Sequence, residues 1–197
     1  DVDGARRIFA EMKEKNIDCD AYTYNTMMNV IGKTGRDVDG ARRIFAEMKE
    51  NNIDINTPTY TTLMNVVGMV GRDVDGARRI FAEMKENNID CNVITYNTMI
   101  NVIGNIGRDV DGARRIFAEM KEKNIDINTH TYNTMMNVVG NIGRDVDGAR
   151  RIFAEMKEKN IDCDAYTYNT MMNVIGKTGR DVDGARRIFA EMKENNI

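Results

Sequence analysis

DVDGARRIFAEMKE, residues 1–14, returns unchanged at 37–50, 73–86, 109–122, 145–158 and 181–194. The period is 36 residues without exception. A fixed period of this size marks a solenoid, because one small unit cannot bury its apolar face alone and stacking the units creates a continuous core. Inside the stretch, Val2, Ala5, Ile8, Phe9 and Met12 recur at steps of three and four. That spacing predicts a helix, B, over roughly 2–14. Asp1 or Asp3 is expected to cap it, and Asp3/Arg7 and Arg7/Glu11 to pair along its exposed side. Between copies, Tyr24, Met27, Met28 and Ile31 form the stripe of a second helix, A, over roughly 22–34. Asp20 is placed to cap A, and Gly35 to close it as the glycine just past a helix end. No strand alternation or hairpin signal interrupts the pattern.

The predicted fold class is therefore all-α: an α-solenoid of stacked antiparallel helix pairs, wound as a right-handed superhelix, with six B and five A helices. The organisation expected is one repeat array over 1–197. A partial unit, 1–20, is followed by units 21–56, 57–92, 93–128 and 129–164 and by a shortened unit 165–197. Residues 1–53 match 145–197 at every position, so a four-unit block lies over the single repeat. Gly4 and its copies stand in the first turn of B, where glycine costs up to about 1 kcal/mol against alanine. Close approach of a neighbouring helix is the expected compensation.

Hydrophobic residues are 42 % and charged residues 30 % of the chain, which fits a folded chain with a core. The longest apolar runs, such as Val66 to Val70, are too short to span a bilayer, so no membrane partner is expected. The net charge of −3 counts against nucleic-acid binding, which usually goes with a basic excess. Cys19, Cys91 and Cys163 share one position in alternate units, where the others carry Ile55 and Ile127. That exchange reads as a small apolar site, with no Cys/His cluster to hold a metal. No nucleophile–base pair, phosphate loop or cofactor signature is present, so the chain is read as no enzyme, with no catalytic residues and no cofactor.

AYTYNTMMNVIGKTGRDVDGARRIFAEMKENNIDIN, residues 21–56, resembles a pentatricopeptide repeat. The likeness rests on the TYNT opening of helix A, the closing Gly-Arg, the A-x-x-I-F-x-E-M-K of helix B, and N-I-D before the next unit. It covers the whole chain. The unit here is one residue longer than the family's common form, in the turn between the helices. The resemblance implies binding of single-stranded RNA, one base per repeat. It also implies two base-recognition positions per unit: the residue after Thr-Tyr in helix A, and the unit's last residue. Transferred, these are Asn25 with Asn56, Thr61 with Asn92, Asn97 with Asn128, and Asn133 with Asp164; Asn169 begins a fifth pair. The family's preferences then imply the target 5′-pyrimidine–A–pyrimidine–U-3′.

Variation among the units falls on the same places. Helix B is nearly invariant, whereas the start of helix A carries Tyr22, Pro58, Ile94, His130 and Tyr166. There the family places an aliphatic residue that sandwiches bases; Ile94 is close to that, and Tyr22, His130 and Tyr166 are candidates to stack on bases. For phosphate contact the family's lysine is matched by Lys33 and Lys177, but by Met69, Asn105 and Asn141 in the middle units. Phosphate attraction is expected to be weak there. Membership would also imply a mitochondrial or plastid location. The other functions that fit the residues are a groove for protein or peptide and a purely structural or designed array. Apolar end faces make end-to-end homo-oligomers a further expectation.

Overall fold

In a computed structural model the chain is all-helical; the structure describes residues 1–178 and 180–197. Eleven helices follow one another among the described residues, with no strand. The B helices are α1 (Val2–Glu14), α3 (Val38–Glu50), α5 (Val74–Glu86), α7 (Val110–Glu122), α9 (Val146–Glu158) and α11 (Val182–Glu194). The A helices are α2 (Ala21–Asn29), α4 (Thr57–Asn65), α6 (Val93–Ile100), α8 (Thr129–Met136) and α10 (Ala165–Asn173). Each A helix runs on into a wider final turn, Val30–Thr34 in the first. Two compact units divide the chain, Asp1–Val102 and Ile103–Ile197.

In the first unit α2, α4 and α6 pack side by side and against α1, α3 and α5; in the second, α8 and α10 pack side by side and against α7, α9 and α11. The buried face matches the apolar stripes read from the sequence, with Tyr24, Met28, Ile31, Ala41, Met48 and Tyr60 all inside. The B helices of a unit are joined by ion pairs instead: Lys13 to Glu47 at 2.5 Å, Arg6 to Asp37 at 2.7 Å, and Lys121 to Glu155 at 2.6 Å. These pairs are partly exposed, so each contributes little alone, and their repetition supplies register more than stability.

One cluster ties three successive helices together. Phe9 of α1 meets the Tyr24 ring of α2 edge-on at 5.1 Å, and Tyr24 Oη donates to Glu47 Oε1 of α3 at 2.9 Å. Lys13 lies over the Phe9 ring and also pairs with Glu47. The cluster recurs as Phe117, Tyr132, Glu155 and Lys121. Burial, and then the Glu155 carboxylate, push the Tyr132 hydroxyl well above its ordinary range. Burial disfavours a charged Glu155, but hydrogen bonds from Lys121 and Tyr132 and the attraction of Lys121 outweigh it and hold the carboxyl low. The TYNT tyrosine is thus a core residue with one satisfied polar atom.

Two local expectations are corrected. The residue past the end of helix A that takes the left-handed conformation is Arg36 (φ 53°), with Arg72, Arg108, Arg144 and Arg180 alike, whereas Gly35 has φ −78°. Gly35 is required for space. A methyl group there would stand 2.7 Å from the Ile31 carbonyl oxygen, because the wide last turn brings the Gly35 N–H onto Val30 O at 3.0 Å. Arg43, the copy of Arg7, reaches back to the capping Asp37 at 3.5 Å, and Asp39 takes Arg42 at 3.6 Å. The N-cap carboxylate, already the meeting point of the helix start and of Arg6, is the stronger attractor for Arg43. Gly40, the copy of Gly4, makes room for two neighbours: the capping Asp37 side chain, and Ile31 of the preceding A helix at 2.7 Å. Of the two caps proposed, Asp37 is the one used, accepting from Gly40 N at 2.7 Å.

The spacing of A helices is set by a second glycine. A methyl group on Gly32 would lie 2.5 Å from both Val66 methyls, and one on Gly68 2.5 Å from Val102 Cγ2. Gly176 meets nothing nearer than Ala185 Cβ at 3.8 Å. Thermal unfolding followed by circular dichroism should separate these sites. Gly68→Ala is expected to cost about 1–3 kcal/mol through overpacking. Gly176→Ala should be neutral or stabilising, by up to about 1 kcal/mol; equal losses would show that glycine is not acting as a spacer.

Candidate nucleic-acid interface

The unit-ending residues all sit at helix starts. Asn56 Oδ1 accepts from Thr59 N at 3.2 Å and Thr59 Oγ1 at 2.9 Å. Asn92 Oδ1 accepts from Ile94 N at 3.0 Å and Thr95 N at 3.1 Å. Asn128 and Asp164 cap α8 and α10 in the same manner, as Asp20 caps α2. This satisfies backbone N–H groups that the helix leaves over. It also decides which atom stays available. A capping asparagine has spent its carbonyl oxygen and keeps its amide N–H groups free; a capping aspartate keeps its second carboxylate oxygen.

The residues inside helix A offer the complement. Asn25, Asn97 and Asn133 each bury an Oδ1 that has no hydrogen-bond partner. Asn97 is 7 % exposed and Asn133 4 %. A buried acceptor left open costs on the order of 1–3 kcal/mol, so three of them at equivalent places in a repeat call for an explanation. The Asn133 amide lies close enough to the Asp164 carboxylate to favour its charged form, which brings that predicted pair together. The Asp164 carboxyl is pushed up by burial, but the Thr167 N–H and hydroxyl and the Asn133 amide prevail and hold it below its ordinary value. Thr61 Oγ1 lies 3.2 Å from Thr95 Oγ1, which in turn bonds Asn92 Oδ1 at 3.2 Å, so the second pair is linked through a shared threonine. No hydrogen bond joins Asn25 to Asn56 among the described residues. Asn169 is exposed.

In the first compact unit, a cleft of about 280 Å³ is lined by Thr61, Asn92, Pro58, Ile94 and Lys33, together with Asn29 and Asn65. Base-recognition, stacking and phosphate candidates thus share one hollow. Tyr22, Ile94, His130 and Tyr166 are all exposed at helix starts, Tyr22 at 78 %. Lys33 and Lys177 are exposed as well.

Asn29 and Asn65 were not singled out by the sequence reading. Asn29 carries another buried oxygen without a partner. In the second unit Asn137 Nδ2 donates to Asn105 Oδ1 at 2.9 Å, and Asn141 Nδ2 to Asn137 Oδ1 at 2.9 Å. The available signal was the spacing: residues 25, 29 and 33 are four apart and share one helix face with the base-recognition position. No cluster of three or more metal-binding side chains exists among the described residues, and no described helix is long and apolar enough to cross a membrane.

Comparison with known families decides whose helices these are. A pentatricopeptide repeat domain profile matches residues 43–106, and the PPR repeat family profile matches 1–33, 97–141 and 132–177. A further PPR repeat profile matches 22–53 and 166–197. The chain belongs to the pentatricopeptide repeat family. No individually curated protein matches it. Among solved pentatricopeptide structures it is similar to PPR10 from maize, with a TM-score of 0.75 and 28 % identity over all of this chain. The chain spans only 27 % of that protein. PPR10 in complex with an 18-nt psaJ RNA element aligns at a TM-score of 0.70 and 25 % identity, covering 90 % of this chain and 29 % of that one. The PPR domain of Arabidopsis thaliana protein-only RNase P 1, in complex with tRNA, shares the fold at 18 % identity and a TM-score of 0.70, with 87 % and 88 % coverage.

The lowered pKa of Asp164 gives a test of its place in the interface. A depressed folded-state pKa means that the ionised form contributes stability above the ordinary aspartate value of 3.8, and that this is lost as pH falls through the lower folded value. Asp164→Asn keeps the cap but removes the charge. Its loss of stability between about pH 5 and pH 2 is expected to be smaller than that of the parent protein, and identical acid profiles would contradict the assignment.

Proposed function

We propose that this chain is a sequence-selective module for single-stranded RNA, reading one base per helix pair, with the target 5′-pyrimidine–A–pyrimidine–U-3′. The observation that carries the reading is the recurrence of asparagines at 25, 97 and 133 whose Oδ1 is buried without a partner, a cost that turning the amide toward a base would relieve, together with capping side chains that keep polar atoms beyond those spent on the helix start. The RNA and tRNA complexes of the two structural relatives support it.

Each pair has its own chemistry. Asn25 with Asn56 presents one acceptor and one free amide donor. A pyrimidine edge, with an N–H beside a carbonyl or ring nitrogen, matches that combination. Asn97 carries the same kind of acceptor in the first compact unit, and Asn128 the same free amide in the second. Asn133 with Asp164 is rich in acceptors, because the asparagine amide is already given to the carboxylate; a base with an N–H between its carbonyls, uracil, fits it. Thr61 is short and its hydroxyl is engaged with Thr95, so the second unit leaves room for a purine facing the free amide of Asn92. Adenine, with ring acceptors, fits that donor. Tyr22, Ile94, His130 and Tyr166, exposed at the helix starts, supply faces for the bases to lie against.

The test is fluorescence anisotropy at low salt with labelled CAUU and UACU oligomers against a purine-rich strand. Selective binding of the first two is expected. Thr61→Asn should shift the preference at the second base from A to a pyrimidine, by roughly tenfold or more. A folded helical protein that binds none of the strands would refute the proposal and favour a peptide groove or a structural array.

A further inference from the structure

Every turn from helix A to helix B contains an arginine in the left-handed conformation: Arg36, Arg72, Arg108, Arg144 and Arg180, with φ between 52° and 56°. The turn at the other end of helix B needs the same conformation and fills it with asparagine: Asn16, Asn52, Asn88, Asn124, Asn160 and Asn196. Asparagine adopts that region several-fold more readily than other side chains, whereas a long side chain bears a steric cost of about 1 kcal/mol or more. Within one chain, then, the same backbone problem has a favourable solution at one end of helix B and a costly one at the other. Arginine recovers nothing locally, since all five are exposed and none makes a hydrogen bond or ion pair among the described residues.

The acids beside them are already engaged. The adjacent Asp37 is held by Gly40 N–H, by Arg6 at 2.7 Å and by Arg43 at 3.5 Å. In the second unit Asp145 is held by Gly148 N–H, by Arg114 at 2.6 Å and by Arg151 at 3.9 Å. The turn at Arg36 thus sets its guanidinium, with Arg6 and Arg43, beside two carboxylates that are already engaged, Asp37 and the exposed Asp39, which takes Arg42 at 3.6 Å. Lys33 adds a further charge in its unit, but the equivalents Met69, Asn105 and Asn141 do not. The net charge of −3 therefore conceals an excess of arginine at the turns from helix A to helix B, while acids such as Asp18, Asp54 and Asp126 fall at the turns from B to A.

We propose that Arg36, Arg72, Arg108, Arg144 and Arg180 hold the phosphodiester backbone of the bound strand, one guanidinium per 36-residue unit. This rests on the RNA-binding reading above. The arginines carry no base information. They supply a salt-dependent attraction in the middle units, where the lysine is missing, and guanidinium matches phosphate oxygens through paired N–H donors.

The test compares the parent protein with an Arg72→Asn/Arg108→Asn/Arg144→Asn variant, which should accept the left-handed turns at least as well. Its melting temperature is expected to be equal or higher. Single-strand contacts contribute a slope of about −0.7 each in a plot of log affinity against log salt, so removing three should flatten the slope by about 2. Between about 50 and about 200 mM salt, the parent should lose roughly 20-fold more affinity than the variant. Preference for A at the second base should persist, and lysine at all three positions should restore most of the slope. An unchanged slope, with RNA binding by the parent intact, would overturn the phosphate role and leave the base-reading proposal standing. A parent protein that binds no RNA would overturn both.

Discussion

The close contact between successive A helices is the constraint from which the rest of each unit follows. At Gly32 and Gly68 there is no room for even a methyl group, because a valine of the next A helix occupies the space. Helices packed through glycine lie near the short end of the usual 8–10 Å interaxial range. That distance fixes how far apart equivalent side chains stand on neighbouring A helices, and so the interval at which bases could be read. The wide last turn, which brings Gly35 N–H onto the Val30 carbonyl, belongs to the same contact. The tyrosine, phenylalanine, glutamate and lysine cluster then holds each B helix against this inner row.

A second economy lies in the capping residues. Asn56, Asn92, Asn128 and Asp164 each spend one oxygen on the start of a helix, which leaves the asparagines their amide N–H groups and Asp164 a second oxygen on the side of the Asn133 amide. Stabilising the helix therefore orients the very group proposed to meet a base. An exchange between asparagine and aspartate at this place preserves the cap and switches the free atoms from donor to acceptor. The chemistry of this side chain can vary from unit to unit at little cost in folding, and it does so in this chain while the B helices stay almost constant.

Much of this was legible in the sequence, because an exact 36-residue period leaves few alternatives and the three-and-four spacing of Val2, Ala5, Phe9 and Met12 has one helical reading. The family's wording pointed to the base-recognition positions, and the structure places Thr61 and Asn92 in one cleft and Asn133 against Asp164. What the residues hid were features that depend on three-dimensional proximity. Gly35 looked like the left-handed residue because glycine is the usual choice, but the widened turn shifts that conformation to Arg36 and leaves Gly35 to avoid a carbonyl oxygen. Arg43 departed from its four-residue partner because a cap carboxylate was closer to hand. Asn29 escaped notice since a polar residue on a short helix reads as solvated until its oxygen is found buried. The net charge is silent in the same way, since a sum over the chain carries no record of which turn each charge occupies.

The most direct measurement is a crystal structure of the protein with the four-nucleotide strand 5′-CAUU-3′. The account predicts one nucleotide per helix pair, the adenine edge at Thr61 and Asn92, and the last uracil donating its ring N–H between Asn133 and Asp164. RNA bound with its bases away from the open asparagine oxygens, or in a register that puts two nucleotides on one helix pair, would contradict it.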